Sequence, residues 1–392
     1  MAFGDFTVDR ASKKYVLGAD GYLKEYANDE PAIEFNADGS YKGVLVEPQS
    51  TNDITYSEDF RNTAQAGETR PWIQTQLSFN SNTDIAPDGN QTADEIIPNT
   101  TNGIHQLRRL FTTLDGTYTL SVFAKQNGYK NLLLWADGHS GGVGVNLDDL
   151  SVFRDTNNDG YTIKQYPDGW VYISTTVTIS NTSGSWSVYI YSNDPTPAIS
   201  FSGDNTNGIF IWGAQLELSP IATSYIPTTT GAVTRVKDDI YLTGASSLIG
   251  QTEGTLFVEV DWRSTGVSQW LLSANDGTNN NRLLIYNNTT PELRMFAEAN
   301  DVFLTDQGES STGYSGIQKI AFAYADADFE LYRNGSSISF DTIGSLSALA
   351  TLTNIDLGQS QSAGGQANMW IRAVAFFTTR LSDAECEALT TI

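Results

Sequence analysis

The sequence predicts an all-β protein: two tandem antiparallel β-sandwiches of jelly-roll type, after an extended N-terminal arm and with one short C-terminal helix. Three observations carry that prediction. The polar residues are mostly Ser, Thr, Asn and Gly, which suit strands and turns better than long helices. Apolar residues alternate with polar ones in one short segment after another. Clusters of Gly, Asn and Asp, at 156–160 and 203–208 for example, separate those segments.

The elements follow in chain order. Residues 1–62 hold short extended pieces around Asp9-Arg10, Gly21-Tyr22-Leu23 and Gly43-Val44-Leu45-Val46-Glu47, and read as an arm that packs onto something larger. Residues 63–236 hold the first run of strands. Tyr118, Leu120 and Val122 share one face; Val171, Ile173, Val177 and Ile179 share a face of a second strand; Trp186, Val188 and Ile190 mark a third. Phe210, Trp212, Ala214, Leu216 and Leu218 mark a fourth, with Ile209 and Ile211 opposite. Pro227-Thr-Thr-Thr-Gly231 reads as a linker. Residues 237–392 form the second run. There Leu256, Val258, Val260 and Trp262 alternate with Phe257, Glu259 and Asp261. Asn334-Gly335 is the favoured dipeptide of a type I′ hairpin, and 369–377 reads as a buried strand. Ser382-Asp-Ala-Glu385 fits a capping box, with Leu381 and Cys386 at the staple positions, so Cys386 is expected to be a small buried hydrophobe.

Composition bounds the function. A chain of 392 residues suggests two to three domains at about 150 residues each. Its 46 acidic and 22 basic residues leave a net charge of −24, which excludes phosphate neutralisation of nucleic acid and a polybasic membrane clamp. An acidic polysaccharide is an awkward ligand unless a local basic patch or bridging cations intervene. One cysteine excludes an intrachain disulfide framework, and two histidines make a histidine-rich metal centre a poor expectation. The first ten residues lack the features of a secretion signal, and no apolar stretch approaches a membrane span, so assembly in the cytosol without membrane insertion is expected. No repeat of 20–50 residues is present to suggest a solenoid or propeller.

Three separated blocks resemble parts of one family. Gly43-Val-Leu-Val-Glu47-Pro48-Gln49-Ser-Thr51-Asn52 with Tyr56-Ser57-Glu58-Asp59-Phe60 resembles a segment near the N-termini of tailed-bacteriophage tail-fibre and other virion structural proteins. Asp168-Gly169-Trp170, Gly208-Ile-Phe-Ile-Trp212-Gly213-Ala214-Gln215-Leu216-Glu217, Thr223-Ser224-Tyr225-Ile226-Pro227-Thr228 and Val233-Thr234-Arg235 are similar to their carbohydrate-binding-module-like jelly roll. Gly254-Thr255-Leu256-Phe257-Val258-Glu259, Leu331-Tyr332-Arg333-Asn334-Gly335 and Arg380-Leu381-Ser382-Asp383-Ala384-Glu385 resemble a concanavalin/laminin-G-like sandwich. The resemblance implies a tail-fibre or head-fibre protein on the virion surface. It would be anchored to other virion proteins by the arm, homotrimeric, and would bind host cell-surface glycans without chemical turnover. A tail-associated polysaccharide depolymerase and a purely structural capsid decoration are the alternatives. The resemblance brings no catalytic residues.

Local chemistry is sparse. Asp155, Asn157 and Asp159, followed by Gly160, match the first half of a calcium loop, with oxygens at positions 1, 3 and 5. Tyr166 stands where the bidentate Glu belongs, and a tight polar hairpin between Val152 and Ile163 explains the same residues. Glu259 and Asp261 share a strand face, as the carboxylates of concanavalin-like glycosidases do, but the next same-face position is Arg263. His139 reads as a loop histidine. Trp135, Trp72 and Trp270 lie beside polar turns and are the candidates for stacking a sugar ring. Trp170, Trp186, Trp212 and Trp262 lie within strand patterns and are expected in the core.

Overall fold

The computed structural model describes residues 5–61, 72–263, 267–290, 292–310, 316–359 and 365–392. Two hydrophobic cores organise them, each enclosed between layers of antiparallel strands, so the all-β expectation holds.

The first sandwich is built on two long strands, Gly103–Asn127 and Val171–Tyr191, which pair along most of their lengths and serve both of its layers. One half of this pair continues through Asn131–Asp137, Gly141–Asn146 and Val152–Thr156, with Trp72–Thr75 on its other side. The other half is flanked by Gly160–Gln165 on one side and by Gly208–Glu217, Ala93–Pro98 and Leu77–Asp84 on the other. The segments around Val177 and Trp186 are therefore one strand of 21 residues rather than two. Register shifts between Phe111, Leu114 and Gly116 explain why two strands were expected. They let odd-numbered Val171, Ile173 and Val177 and even-numbered Trp186, Val188 and Ile190 face the same core. A second irregularity splits the strand Gly208–Glu217. Gly213 has a φ of 67°, so Ile209 and Ile211 face the core before it and Ala214 and Leu216 after it. Phe210 and Trp212 consequently point outward, away from the face that simple alternation assigns them with Ala214 and Leu216. There they join Phe123, Trp170 and Tyr225 in an aromatic layer.

The second sandwich has seven strands in each sheet. One sheet runs Thr7–Asp9, Asp239–Thr243, Asn354–Leu357, Gln269–Asn275, Asn281–Asn287, Glu292–Ala299, Val302–Ser310. The other runs Ser336–Asp341, Asp328–Arg333, Gly316–Ala325, Glu253–Trp262, Met369–Phe377, Tyr41–Val46, Ile33–Phe35. Asn334 and Gly335 both take positive φ, 50° and 84°, as the expected hairpin requires. The helix Asp383–Thr390 lies on the outside of the second sheet. There Cys386 is buried with Phe257, Ala321 and Tyr332, and the Glu385 carboxylate accepts from the Ser382 backbone N–H at 2.9 Å.

The N-terminal segment packs onto the chain's own sandwiches. Thr7–Asp9, Ile33–Phe35 and Tyr41–Val46 complete the sheets of the second sandwich, and Ser50–Asn52 pairs with Val233–Arg235. Between them, the hairpin Lys14–Leu17/Leu23–Tyr26 is wedged between the two bodies. Val16 contacts Leu45 and Trp370 of the second sandwich, while Leu23 and Tyr15 join the aromatic layer of the first. The expected boundary at 62/63 lies outside the described residues. The expected linker at Pro227–Gly231 is pinned, because the Thr228 N–H donates to Ser57 Oγ at 2.9 Å.

Candidate functional site

The sandwiches meet at a buried ionic joint. Glu47, directly after the strand Tyr41–Val46, lies fully buried within reach of Lys14 (3.1 Å), Arg235 (3.6 Å) and the Arg263 guanidinium. The Ser224 hydroxyl donates to the same carboxylate at 2.7 Å. Burial alone would raise the Glu47 carboxyl, but the three cations together hold it well below the usual carboxylate range. Asp238 completes the joint, accepting from Arg10 at 2.9 Å and from Lys14 at 2.6 Å. Glu217 lies close by and forms no ion pair among the described residues. It accepts from Ser50 Oγ at 2.7 Å and from Thr223, and burial raises its carboxyl. Glu47, Glu217, Ser224 and Arg235 thus converge here from distant parts of the chain.

Beside the joint a cleft of about 460 Å³ opens between the sandwiches and the wedged hairpin. That volume lies within the range of about 300–1,000 Å³ usual for small-ligand pockets. One wall is the outer face of the second sandwich, where Trp370 lies with its indole N–H donating to Glu34 Oε2 at 2.9 Å. Lys42 Nζ stands 3.4 Å from the Trp370 ring centroid, and the Arg263 guanidinium carbon stands 5.3 Å from it. The facing wall comes from Gly160–Gln165 and the long strand behind it, with Tyr161, Thr162, Tyr166, Tyr172 and Ser174. Lys164 reaches across to Glu34 at 3.4 Å and ties the two walls together. Aromatic faces, hydroxyls and cations therefore converge on one concave space. A sugar ring can stack on an aromatic face there while its hydroxyls find donors and acceptors.

The lysine reaches this place through a β-bulge. Phe35 pairs with Tyr41 and Glu34 with Gly43, so Lys42 is the extra residue without a cross-strand partner. Strict alternation would set Lys42 on the core side with Val44 and Val46. The bulge turns it to the outer face instead. Gly43 makes this fit, because a Cβ there would lie 2.8 Å from that of Trp370.

The residues expected from the sequence fall elsewhere and are not brought together. Trp72, 2% exposed, packs in the first core against Phe60 and Trp186, so it is unavailable for stacking. Its place beside a polar turn in sequence concealed its pairing with Arg109 inside a sheet. Trp135, 8% exposed, lies on the outer face of the first sandwich with Tyr189 and Tyr191, covered by Arg154 at 4.4 Å. Trp270 is half-buried against Gly365. Trp170, Trp186, Trp212 and Trp262 are buried, as their strand patterns indicated.

The calcium half-loop spans a crossing between layers, and the hairpin expected between Val152 and Ile163 is absent. The strand before it pairs with Gly141–Asn146 and the strand after it with Val171–Tyr191. The Asp155 carboxylate accepts from Asn158 at 2.7 Å and that of Asp159 from Thr178 at 2.7 Å. Asn157 directs its amide to the Ser140 carbonyl at 3.3 Å. Among the described residues no group of three or more His, Cys, Asp or Glu is placed to hold a metal ion. His139 bonds the Asn157 carbonyl at 3.0 Å, a loop role as expected. Glu259 and Asp261 do share the outer face of their sheet. Glu259 is bound by Arg372 at 2.7 Å, while burial raises the Asp261 carboxyl against the pull of Lys42 and Arg372. Lys42, Trp370, Tyr161 and Tyr166 were missed. The sequence signal was Gly43 beside Lys42, which marks a bulge only once the partner strand is known.

These features define a two-sandwich, all-β protein with an aromatic, cation-bearing cleft at its joint. No family model and no curated protein matches the chain. Solved structures give partial likenesses. The chain is similar to the CBM40 of the Ruminococcus gnavus IT-sialidase, at 19% identity over 37% of this chain and 86% of that one, with a TM-score of 0.32. That module has also been solved bound to α2,3-sialyllactose. It is similar to the leech intramolecular trans-sialidase at 18% identity, over 36% of this chain and 24% of that one, with a TM-score of 0.31. A third is botulinum neurotoxin type C, whose cell entry depends on two ganglioside molecules. The identity is 15% over 39% of each chain, with a TM-score of 0.33.

Proposed function

We propose that the protein binds glycans in the cleft between its sandwiches, without chemical turnover. The observation that carries this reading is the cleft itself, which gathers the exposed ring of Tyr161 with Tyr166, the hydroxyls of Thr162 and Ser174 and, on the other wall, the Lys42 ammonium on Trp370. Binding without turnover is favoured by the fate of the same-face carboxylates Glu259 and Asp261. Glu259 is neutralised by Arg372, and Arg263, at the next position along that face, is engaged by Glu47. In the fuller reading the protein is a homotrimer on the surface of a tailed-phage particle, held by other virion proteins and presenting the cleft to host-surface glycans. The support for that part is the resemblance of the three sequence blocks.

The test is equilibrium binding to a panel of host-surface glycans. Tyr161→Ala removes a cleft residue that is 43% exposed, and Ile343→Ala, at a position 84% exposed, is the control outside the cleft. Loss in the first variant alone supports the cleft; equal binding by both removes it. Gold-labelled antibody on purified particles tests the placement. Label at a fibre tip or baseplate fits host recognition, label over the capsid fits a head fibre, and no label removes the virion reading. Release of reducing ends or unsaturated uronates from a bound polysaccharide would replace binding with depolymerisation.

A further inference from the structure

We infer that the cleft selects an acidic sugar, a hexuronate or another carboxylate-bearing residue, with Lys42 as the group that takes the carboxylate. This rests on the glycan-binding reading above.

The reason is a charge without a partner. The other cations that line the cleft are already engaged. Lys164 pairs with Glu34, and Arg263 binds Glu47 while donating to the Ala222 carbonyl at 2.9 Å. Glu34 accepts from the Trp370 indole on one oxygen and from Lys164 on the other, and it forms no ion pair with Lys42. Asp261 and Glu34 act on Lys42 through space, but no carboxylate among the described residues lies within ion-pair distance of its Nζ. No hydrogen bond from that ammonium to a described residue is formed either.

An ammonium carries three donors and is costly to hold partly buried without an acceptor. Here it stands on an indole face, and the Arg263 guanidinium shares the same ring. The ring's π face offsets some of the cost. A carboxylate seated beside Trp370 would satisfy the donors, relieve the repulsion between the two cations and form a charge-assisted hydrogen bond. Burial pushes the Lys42 amine down to about 8, so it is charged at neutral pH. The facing wall supplies Thr162 and Ser174 for the hydroxyls of the same sugar. In a chain of net charge −24, this is the local basic patch that an acidic glycan needs.

Isothermal titration of the full chain with an oligoglucuronate and with its carboxyl-reduced, neutral counterpart tests the inference. The wild type is expected to prefer the acidic oligomer by about tenfold or more. Lys42→Gln should lose that preference, Lys42→Arg should keep it, and Tyr161→Ala should weaken binding of both oligomers. Equal binding of the two oligomers by the wild type, or an unchanged preference in Lys42→Gln, overturns the acidic class and leaves glycan binding standing. Binding of neither oligomer removes both readings. Competition by acetate as strong as by the oligoglucuronate leaves an anion pocket and removes the sugar.

Discussion

Replacing Glu47 by Gln keeps the shape of the side chain and removes the charge at the centre of the joint. Four buried or half-buried cations, Arg10, Lys14, Arg235 and Arg263, are balanced there by two carboxylates, Glu47 and Asp238. In Glu47→Gln a single carboxylate faces all four. The new amide also turns donors toward donors, because the Glu47 oxygens accept from Ser224 N (2.8 Å), Ser224 Oγ (2.7 Å), Lys14 and Arg263. Breaking a buried pair from one side costs about 3–5 kcal/mol, and a buried donor left unmet adds about 1–3 kcal/mol. A loss of at least about 4 kcal/mol is therefore expected, a large share of a typical stability of about 5–15 kcal/mol. Urea unfolding followed by circular dichroism and tryptophan fluorescence measures it. Because Glu47 joins both bodies, the two signals should also separate into two transitions. Lys14→Met is the companion variant. It removes a surplus cation, so it should cost less than Glu47→Gln. A loss below about 1 kcal/mol for Glu47→Gln, or a greater loss for Lys14→Met, would refute the charge accounting.

Other outcomes follow from the same structure. Burial lifts the Glu58 carboxyl from 4.5 to about 7, so the neutral form is favoured in the folded state. Stability is then full below about pH 4.5 and declines as pH rises to about 7. Glu58→Gln should abolish a loss of about 3 kcal/mol over that window, at about 1.4 kcal/mol per pH unit. Unfolding midpoints of the two proteins that differ equally at pH 5 and pH 8 would contradict this. Trp72→Ala should cost about 3–5 kcal/mol in urea unfolding, yet leave the glycan affinity of the folded protein unchanged. A loss of affinity with stability intact would return Trp72 to the candidate site. Gly43→Ala sets a Cβ against Trp370 and should cost about 1–3 kcal/mol together with the binding preference set by Lys42. Tolerance of both properties would mean that the bulge does not hold the lysine in place. Melting temperatures in calcium and in chelator should coincide, since Asp155 and Asp159 bond different neighbours; a calcium-dependent rise would restore the metal reading.

Alternation revealed the fold wherever one strand face is buried and the other is wet. Tyr118, Leu120 and Val122 entered the first core as read, and Leu256, Val258 and Val260 entered the second. Local chemistry was legible too, in the positive φ of Asn334-Gly335 and in the capping box before the C-terminal helix. What escaped depends on register. A bulge changes which face a residue occupies, and Gly213 and Gly43 carry no mark that separates a bulge from a turn. Phe210 and Trp212 were therefore assigned the same face as Ala214, and Lys42 passed unnoticed. The site was hidden for a further reason. Its walls come from positions as distant as Lys42, Tyr166 and Trp370, and no local pattern encodes that meeting.

The interleaving of the N-terminal segment imposes an order on synthesis. Val46 must find Met369, and Thr7 must find Tyr241, so each of these strands is made more than 200 residues before the strand it pairs with. Residues 72–217 can form most of their pairings among themselves in the meantime. The strand bearing Lys42 has only Ile33–Phe35 to pair with until Met369–Phe377 has been made. Contacts spanning more than 300 residues carry a large entropy of closure and make this last step slow. A fragment starting at residue 237 would expose the strands Asp239–Thr243 and Met369–Phe377 as open edges, each a template for pairing with a neighbouring molecule. A nascent chain in the same condition relies on its own Thr7–Asp9 and Tyr41–Val46 to close those edges before another chain does.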